Sequence, residues 1–218
     1  LFMDGKPYVE GVKAILNIAK QFDDLEFVDL GGGFGIPYEK LNDQPRLDMV
    51  ELGKQLDEVF EQFVKDYGKE ITFKIEPGRY VSAECGVLLG TVTAVKHNGE
   101  DKYIGTDIGF NVLQRPVMYD SHHDIEVYND SDNTEDVTVV GNICESGDIL
   151  AKHRICPEMH VGDTMAMLDA GAYGYCMASN YNNRLRPAEV LIRENGEAVL
   201  IRERDELEDL TRHMKSIK

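Results

Sequence analysis

Three consecutive glycines, Gly31-Gly32-Gly33, follow directly on the apolar run at residues 25–30 and lead into Phe34-Gly35. A second apolar run, residues 71–75, ends in Glu76-Pro77-Gly78-Arg79. Both runs read as short buried strands. The glycines that follow carry no Cβ, so their backbone can come close to a bound group and its N–H groups can converge on an anion. Two such loops on neighbouring strand ends make a phosphate cradle. In (β/α)8 barrels the phosphate site is commonly built by the loops after the last two strands. The competing reading is a plain turn after each strand. A dinucleotide fold is a further rival: Gly31, Gly33 and Gly35 imitate part of its fingerprint, but the x-x-G spacing is missing. Glu51 stands at the right distance for a ribose contact but falls in a predicted helix.

The periodicity around these loops is that of a parallel α/β layer. Val9, Val12, Ile15, Leu16 and Ala19 recur at helical spacing within residues 8–22, and Met49, Val50, Leu52, Leu56, Val59, Phe60 and Phe63 do so within residues 47–67. Gly68 then ends the second helix. The order helix–strand–helix–strand is the α/β rhythm. It changes near Gly86. Residues 87–97 form a long β-prone run, Asn98-Gly99 signals a hairpin, and residues 103–106 return. Further strands are predicted at 125–128, 137–140, 148–151 and 164–168, a hairpin over 189–202 and a short helix over 206–214. Residues 130–136 read as a solvated acidic loop. The expected organisation is 1–90 as strand/helix units of a (β/α)8 barrel and 91–218 as an antiparallel β domain. Two parallel strands cannot close a barrel or cover their own edges, and the opening at residues 1–5 reads as the interior of a longer protein.

Charge bounds the partners. Forty acidic against 23 basic residues give a formal charge of -17, which argues against nucleic acid and against an anionic membrane surface. An anionic substrate remains compatible, since a pocket can be locally basic. No apolar run approaches a membrane span and no signal-peptide pattern opens the chain. Cys85, Cys144, Cys156 and Cys176 lack C-x-x-C spacing and a histidine at ligand spacing. Neither a metal site nor a disulfide framework is expected, and a cytoplasmic protein is the simplest reading.

Several motifs occur in one order: residues 28–38, Glu76-Pro77-Gly78-Arg79, Cys144-Glu145-Ser146-Gly147-Asp148, Asp169-Ala170-Gly171-Ala172-Tyr173-Gly174-Tyr175, Ser179-Asn180-Tyr181-Asn182 and Arg186-Pro187-Ala188-Glu189. As a set they resemble the diaminopimelate decarboxylases, enzymes dependent on pyridoxal 5'-phosphate whose fold also includes the eukaryotic ornithine decarboxylases. The resemblance covers nearly the whole chain and corresponds to the C-terminal half of the family. It implies a pyridoxal-phosphate (β/α)8 barrel followed by a β domain, with the two predicted strands as the last of the barrel. It also implies that the lysine bonded to the cofactor lies earlier, in a Tyr-Ala-x-Lys-like context that no lysine here has, so this chain alone is expected to be inactive.

Site roles follow from the resemblance residue by residue. Glu76 would keep the cofactor ring nitrogen protonated; its bland reading is a helix-start carboxylate. Gly32, Gly33 and the Gly78 backbone would hold the phosphate, aided by the Tyr173 hydroxyl. Arg79 would add charge there or bind the substrate carboxylate. Tyr175 is read as a core aromatic. Arg115 and Tyr119, four apart and on one face if helical, would hold the far carboxylate of the substrate; the alternative is a surface arginine beside a packed tyrosine. Cys144, a thiol with an ordinary pKa of roughly 8.5, would give a proton to Cα, and Glu145 would bind the distal ammonium. A small buried hydrophobe is the bland reading of Cys144, and of the other cysteines. His122 and His123 are read as packing or hydrogen bonding near the pocket. The family's Cys-Glu loop reaches into the neighbour's site, which implies a homodimer. The implied reaction converts meso-diaminopimelate to lysine and carbon dioxide. The alternatives are a same-fold decarboxylase of ornithine, arginine or carboxynorspermidine, or a non-catalytic binding or regulatory relative.

Overall fold

A computed structural model describes residues 3–216; Leu1 and Phe2, the start of the abrupt opening, lie outside the described residues. The chain divides into two compact units, one ending at Glu84 and the other beginning at Cys85.

The first unit is built on two helices. Helix α1 (Gly5–Ala19) starts where the Asp4 carboxylate accepts from the Lys6 N–H at 2.9 Å. Helix α2 (Met49–Tyr67) starts where Asp48 accepts from the Val50 and Glu51 N–H groups. Such caps stabilise a helix by about 1 kcal/mol each. Gly68, at φ +83°, ends α2 as the glycine signal predicts. The inward residues are those of the 3.6-residue period: Tyr8, Val9, Val12, Leu16 and Ala19 on α1, and Leu52, Leu56 and Phe63 on α2. They form one core with Val28, Leu30, Phe34 and Leu47.

Strands β1 (Phe27–Asp29) and β2 (Thr72–Lys74) pair in parallel, with Val28 opposite Phe73. Both are shorter than the predicted runs, and neither is buried on both faces. Val28 and Phe73 turn inward, whereas Phe27, Thr72 and Lys74 are exposed, with the Lys74 ammonium 3.5 Å from the Phe27 ring centroid. A strand alternates faces with every residue, so a lysine in the run already marks an outward side. A short helix that periodicity did not signal, α3 (Gly78–Ser82), follows β2.

The second unit is a six-stranded sheet: β3 (Leu88–Asn98), β4 (Asp101–Thr106), β5 (Ile125–Tyr128), β6 (Thr134–Val140), β7 (Ile149–Pro157) and β8 (Thr164–Met167), in the order β5-β8-β3-β4-β6-β7. Every pairing is antiparallel except β4 with β6. The predicted hairpin after β3 forms, with Asn98 opposite Asp101 and Gly99 at φ +65°. Helix α4 (Arg115–Tyr119) precedes β5, and the hairpin of β9 (Glu189–Ile192) and β10 (Ala198–Arg202) leads to α5 (Leu207–Thr211). Val92, Ile104, Leu113, Val139, Met165 and Met167 lie at the centre of the core.

Two predicted boundaries are corrected, the start of β6 and the end of β7. Residues 134–136, assigned to a solvated loop, open β6, because β7 runs on to Pro157 and supplies partners for Thr134, Glu135 and Asp136. Glu135 is carried within the sheet by an ion pair with Lys102 on β4. Polar composition suggested a loop, and a cross-strand cation made a strand acceptable there.

Candidate active site

The glycine loop and the Glu76 loop leave the same, C-terminal end of the parallel β1–β2 pair. The Leu30 N–H donates to the Lys74 carbonyl and the Glu76 N–H to the Gly31 carbonyl, both at 2.9 Å, so the ladder continues into the loops. A Cβ on Gly32 would overlap the Glu76 carbonyl oxygen. Glycine is therefore required at this position by the approach of the second loop. Gly31 and Gly33, at φ +68° and +97°, bend the chain around that contact. The Glu76 side chain is exposed, and the half-buried Arg79 places its guanidinium 5.9 Å from the Tyr38 ring centroid. Gly32, Gly33 and Glu76 thus lie on adjacent loops, and Gly78 and Arg79 open α3 directly after the second.

The second unit holds the remaining predicted site residues. Helix α4 forms, but its two ends differ. Arg115 is 2% exposed and Tyr119 61% exposed, so the surface arginine beside a packed tyrosine is reversed. Burial of a guanidinium needs partners, and Arg115 has them: Nη1 lies 3.0 Å from His123 Nε2, and Nη2 donates to Ser121 Oγ at 3.0 Å. His123 Nδ1 is 2.7 Å from the Leu168 carbonyl. A carbonyl only accepts, so Nδ1 carries the proton and Nε2 is left to accept from the arginine. His122 sits 2.8 Å from Asp124 Oδ1 and 2.7 Å from Arg154 Nη1. His123 is thus a hydrogen-bonding partner of Arg115, whereas His122 is engaged by Asp124 and Arg154, both within the hydrogen-bonding role expected of the pair.

Cys144 and Glu145 lie on the loop between β6 and β7, and the loop is tied down by Asp148. Its carboxylate accepts from the Phe110 N–H at 2.7 Å and the Ile143 N–H at 3.1 Å. Burial pushes the Asp148 carboxyl above its usual range, and those two N–H donors work against the shift. A Cβ on Gly141 would overlap this carboxylate, which makes glycine obligatory there. Held in this way, Cys144 is exposed and not a buried hydrophobe. Cys85 and Cys176 are exposed as well. Cys156 alone is buried, and burial pushes its thiol up to about 11. Among the described residues, no group of three or more His, Cys, Asp or Glu side chains is arranged to hold a metal ion. None of the described helices is long and apolar enough to cross a membrane.

Tyr173 is exposed and adopts φ +59°, an uncommon conformation for a bulky residue. Tyr175 is half-buried and not a core aromatic. The Arg202 guanidinium stands 4.3 Å from its ring centroid and that of Arg186 5.7 Å, a cation–π pairing that suits a ring with one wet face.

Sequence and fold comparisons place this arrangement. The family model described as pyridoxal-dependent decarboxylase, C-terminal sheet domain, matches residues 26–171. The chain belongs to the pyridoxal-dependent decarboxylases. It is 39% identical, over 96% of its length, to a diaminopimelate decarboxylase of Methanothermobacter thermautotrophicus, and 41% identical, over 95%, to one of Archaeoglobus fulgidus. The chain spans about half the length of these curated relatives (50% in each case). A crystal structure of diaminopimelate decarboxylase from M. jannaschii in co-complex with L-lysine superposes with a TM-score of 0.86 at 34% identity, covering 99% of this chain and 50% of that one. The fold is thus that of the C-terminal part of a family (β/α)8 barrel followed by its antiparallel β domain.

Proposed function

We propose that this protein decarboxylates meso-diaminopimelate to L-lysine and carbon dioxide, with pyridoxal 5'-phosphate as cofactor. The observation that carries the reading is the identity of 39–41% to diaminopimelate decarboxylases, spread over almost the whole chain. The first unit fits the cofactor: two adjacent loops, one forced to glycine by the other's carbonyl, sit beside an exposed carboxylate and a cation. When bound, pyridoxal phosphate supplies the electron sink for the charge left at Cα.

The residues of this chain do the rest. The Glu76 carboxylate holds a proton on the cofactor ring nitrogen. The backbones of Gly32, Gly33 and Gly78, with the Tyr173 hydroxyl, hold the phosphate, and Arg79 adds charge there or at the substrate carboxylate. Arg115 and Tyr119 hold the far carboxylate. An arginine already oriented by His123 and Ser121 loses little freedom on binding an anion. Glu145 binds the distal ammonium, and the Cys144 thiol gives a proton to Cα. A cytoplasmic homodimer, in which the Cys144-Glu145 loop serves the partner's site, completes the reading.

The test is a substrate panel on the full-length protein. Lysine and carbon dioxide are expected from meso-diaminopimelate, with ornithine, arginine and carboxynorspermidine poor. Turnover of ornithine without turnover of diaminopimelate makes this a same-fold decarboxylase of another substrate, and no turnover of any of them leaves a binding or regulatory relative. The 218-residue chain alone is expected to bind the cofactor weakly, and borohydride is expected to fix it to no single lysine.

A further inference from the structure

The segment Ser179-Asn180-Tyr181-Asn182 has no part in the reading above, yet it meets both members of the Cys144-Glu145 pair. The Tyr181 hydroxyl donates to Glu145 Oε2 at 3.1 Å, and the Asn182 amide Nδ2 donates to Cys144 Sγ at 3.4 Å. Both donors come from one tight turn, Tyr181–Asn183. Its geometry is unusual: Asn182 and Asn183 stand in succession at φ +54° and +56°. Asparagine is among the few side chains that tolerate this region, and uncommon backbone of this kind is often found at functional sites. From the far side the Tyr181 ring leans on Phe110, centroids 5.3 Å apart, and the Phe110 N–H is held by Asp148. The hydrogen bond to Glu145 holds the Tyr181 phenol above its usual range, as a hydroxyl donating to a carboxylate should be.

We propose that Tyr181 and Asn182 are positioning residues that fix Glu145 and Cys144 as one unit. The inference rests on the decarboxylase reading for its catalytic meaning. Its contacts, however, lie entirely within the described second unit. An amide donor occupies a sulfur lone pair, so the thiol proton turns away from Asn182. In general, an N–H donor to a sulfur stabilises the charged form of that sulfur. Tyr181 removes rotational freedom from the Glu145 carboxylate, so less is lost when an ammonium binds.

The experiment uses the full-length protein and three variants. Asn182→Gly keeps the left-handed turn at no steric cost and removes only the donor. Asn182→Asp keeps the shape and places an acceptor at the sulfur. Tyr181→Phe keeps the ring on Phe110 and removes the hydroxyl. Iodoacetamide alkylation of Cys144 is followed against pH by mass spectrometry of its peptide, which separates it from Cys85 and Cys176. We expect the Cys144 titration to move upward in Asn182→Gly, with alkylation several-fold slower at neutral pH, and to move further in Asn182→Asp. Tyr181→Phe should raise KM for diaminopimelate several-fold with a smaller change in kcat, and Asn182→Gly should chiefly lower kcat. An unchanged Cys144 titration in both Asn182 variants overturns the proposal, whatever the activity. A protein that does not decarboxylate diaminopimelate, yet shows the shifted titration, keeps the contact and overturns the decarboxylase reading.

Discussion

The first unit and the second hold their proposed site residues in different ways. Up to Glu84, the sheet is two strands of three residues, and the core is supplied largely by the faces of α1 and α2. What the strands lead into is chiefly close-packed backbone, the glycines Gly31–Gly33 against the Glu76 carbonyl, with Glu76 and Arg79 as the side chains beside it. From Cys85 on, six strands cover one another, and Ile104, Val139, Met165 and Met167 have no exposed surface. What that unit delivers is side chains, each held by others: Arg115 by His123 and Ser121, and the Cys144-Glu145 loop by Asp148. A two-stranded platform suffices where the close approach of two backbone loops sets the geometry. Burying the Arg115 guanidinium and pinning the Cys144 loop takes the larger sheet, with loops tied across it.

The largest effect that sharpens this contrast is in hydrogen exchange. Amides of β3, β4 and β8 should exchange at least about a hundredfold more slowly than those of β1 and β2, a gap of roughly 3 kcal/mol in opening free energy. Equal protection in the two units, read by peptide-resolved mass spectrometry, would break the comparison.

A smaller effect tests whether the first unit depends on backbone approach. Gly32→Ala drives a Cβ into the Glu76 carbonyl and should cost about 1–3 kcal/mol, together with a loss of affinity for pyridoxal phosphate. Gly53→Ala is the control. It is an exposed site within α2 where a Cβ meets nothing within 4 Å, and the change should stabilise by about 0.5–1 kcal/mol. Urea unfolding of both variants decides. If Gly32→Ala is as harmless as Gly53→Ala, the close approach is not what selects glycine.

The smallest effect is electrostatic. Arg46 donates to both Glu84 oxygens at 2.7 Å and Lys40 lies 3.0 Å away, which holds the Glu84 carboxyl at about 2. A folded value below the ordinary 4.5 means that the contribution is complete above about pH 4.5 and is lost as the pH falls toward 2. Glu84→Gln should therefore cost about 0.5–1 kcal/mol at pH 7 and nothing near pH 2. Asp148, in the second unit, has the opposite sign. Burial raises its carboxyl, so its ionisation opposes folding as the pH rises. A Glu84→Gln penalty that persists at pH 2 would mean that the lost interaction is not ionic.

Local pattern was enough for a great deal. The helical period of Val9, Val12 and Leu16, the capping glycine at Gly68, the Asn98-Gly99 turn and the glycine loop after residue 30 are written in neighbouring residues, because capping, turn chemistry and amphipathic burial act over a few positions. The ordered motifs carried the family in the same way. Tertiary structure decided what depends on residues distant in the chain. Arg115 is buried and Tyr119 exposed because His123 and Ser121 fold back onto α4. Thr134 to Asp136 form strand because β7 continues beside them, with Lys102 on β4 pairing Glu135. Cys144 is exposed because Asp148 pins its loop. Tyr181 and Asn182, more than thirty residues further on, reach Glu145 and Cys144 only once the second unit has folded. Composition and spacing carry no record of such pairings, since their free energy comes from desolvating and satisfying polar groups that meet only in the folded chain.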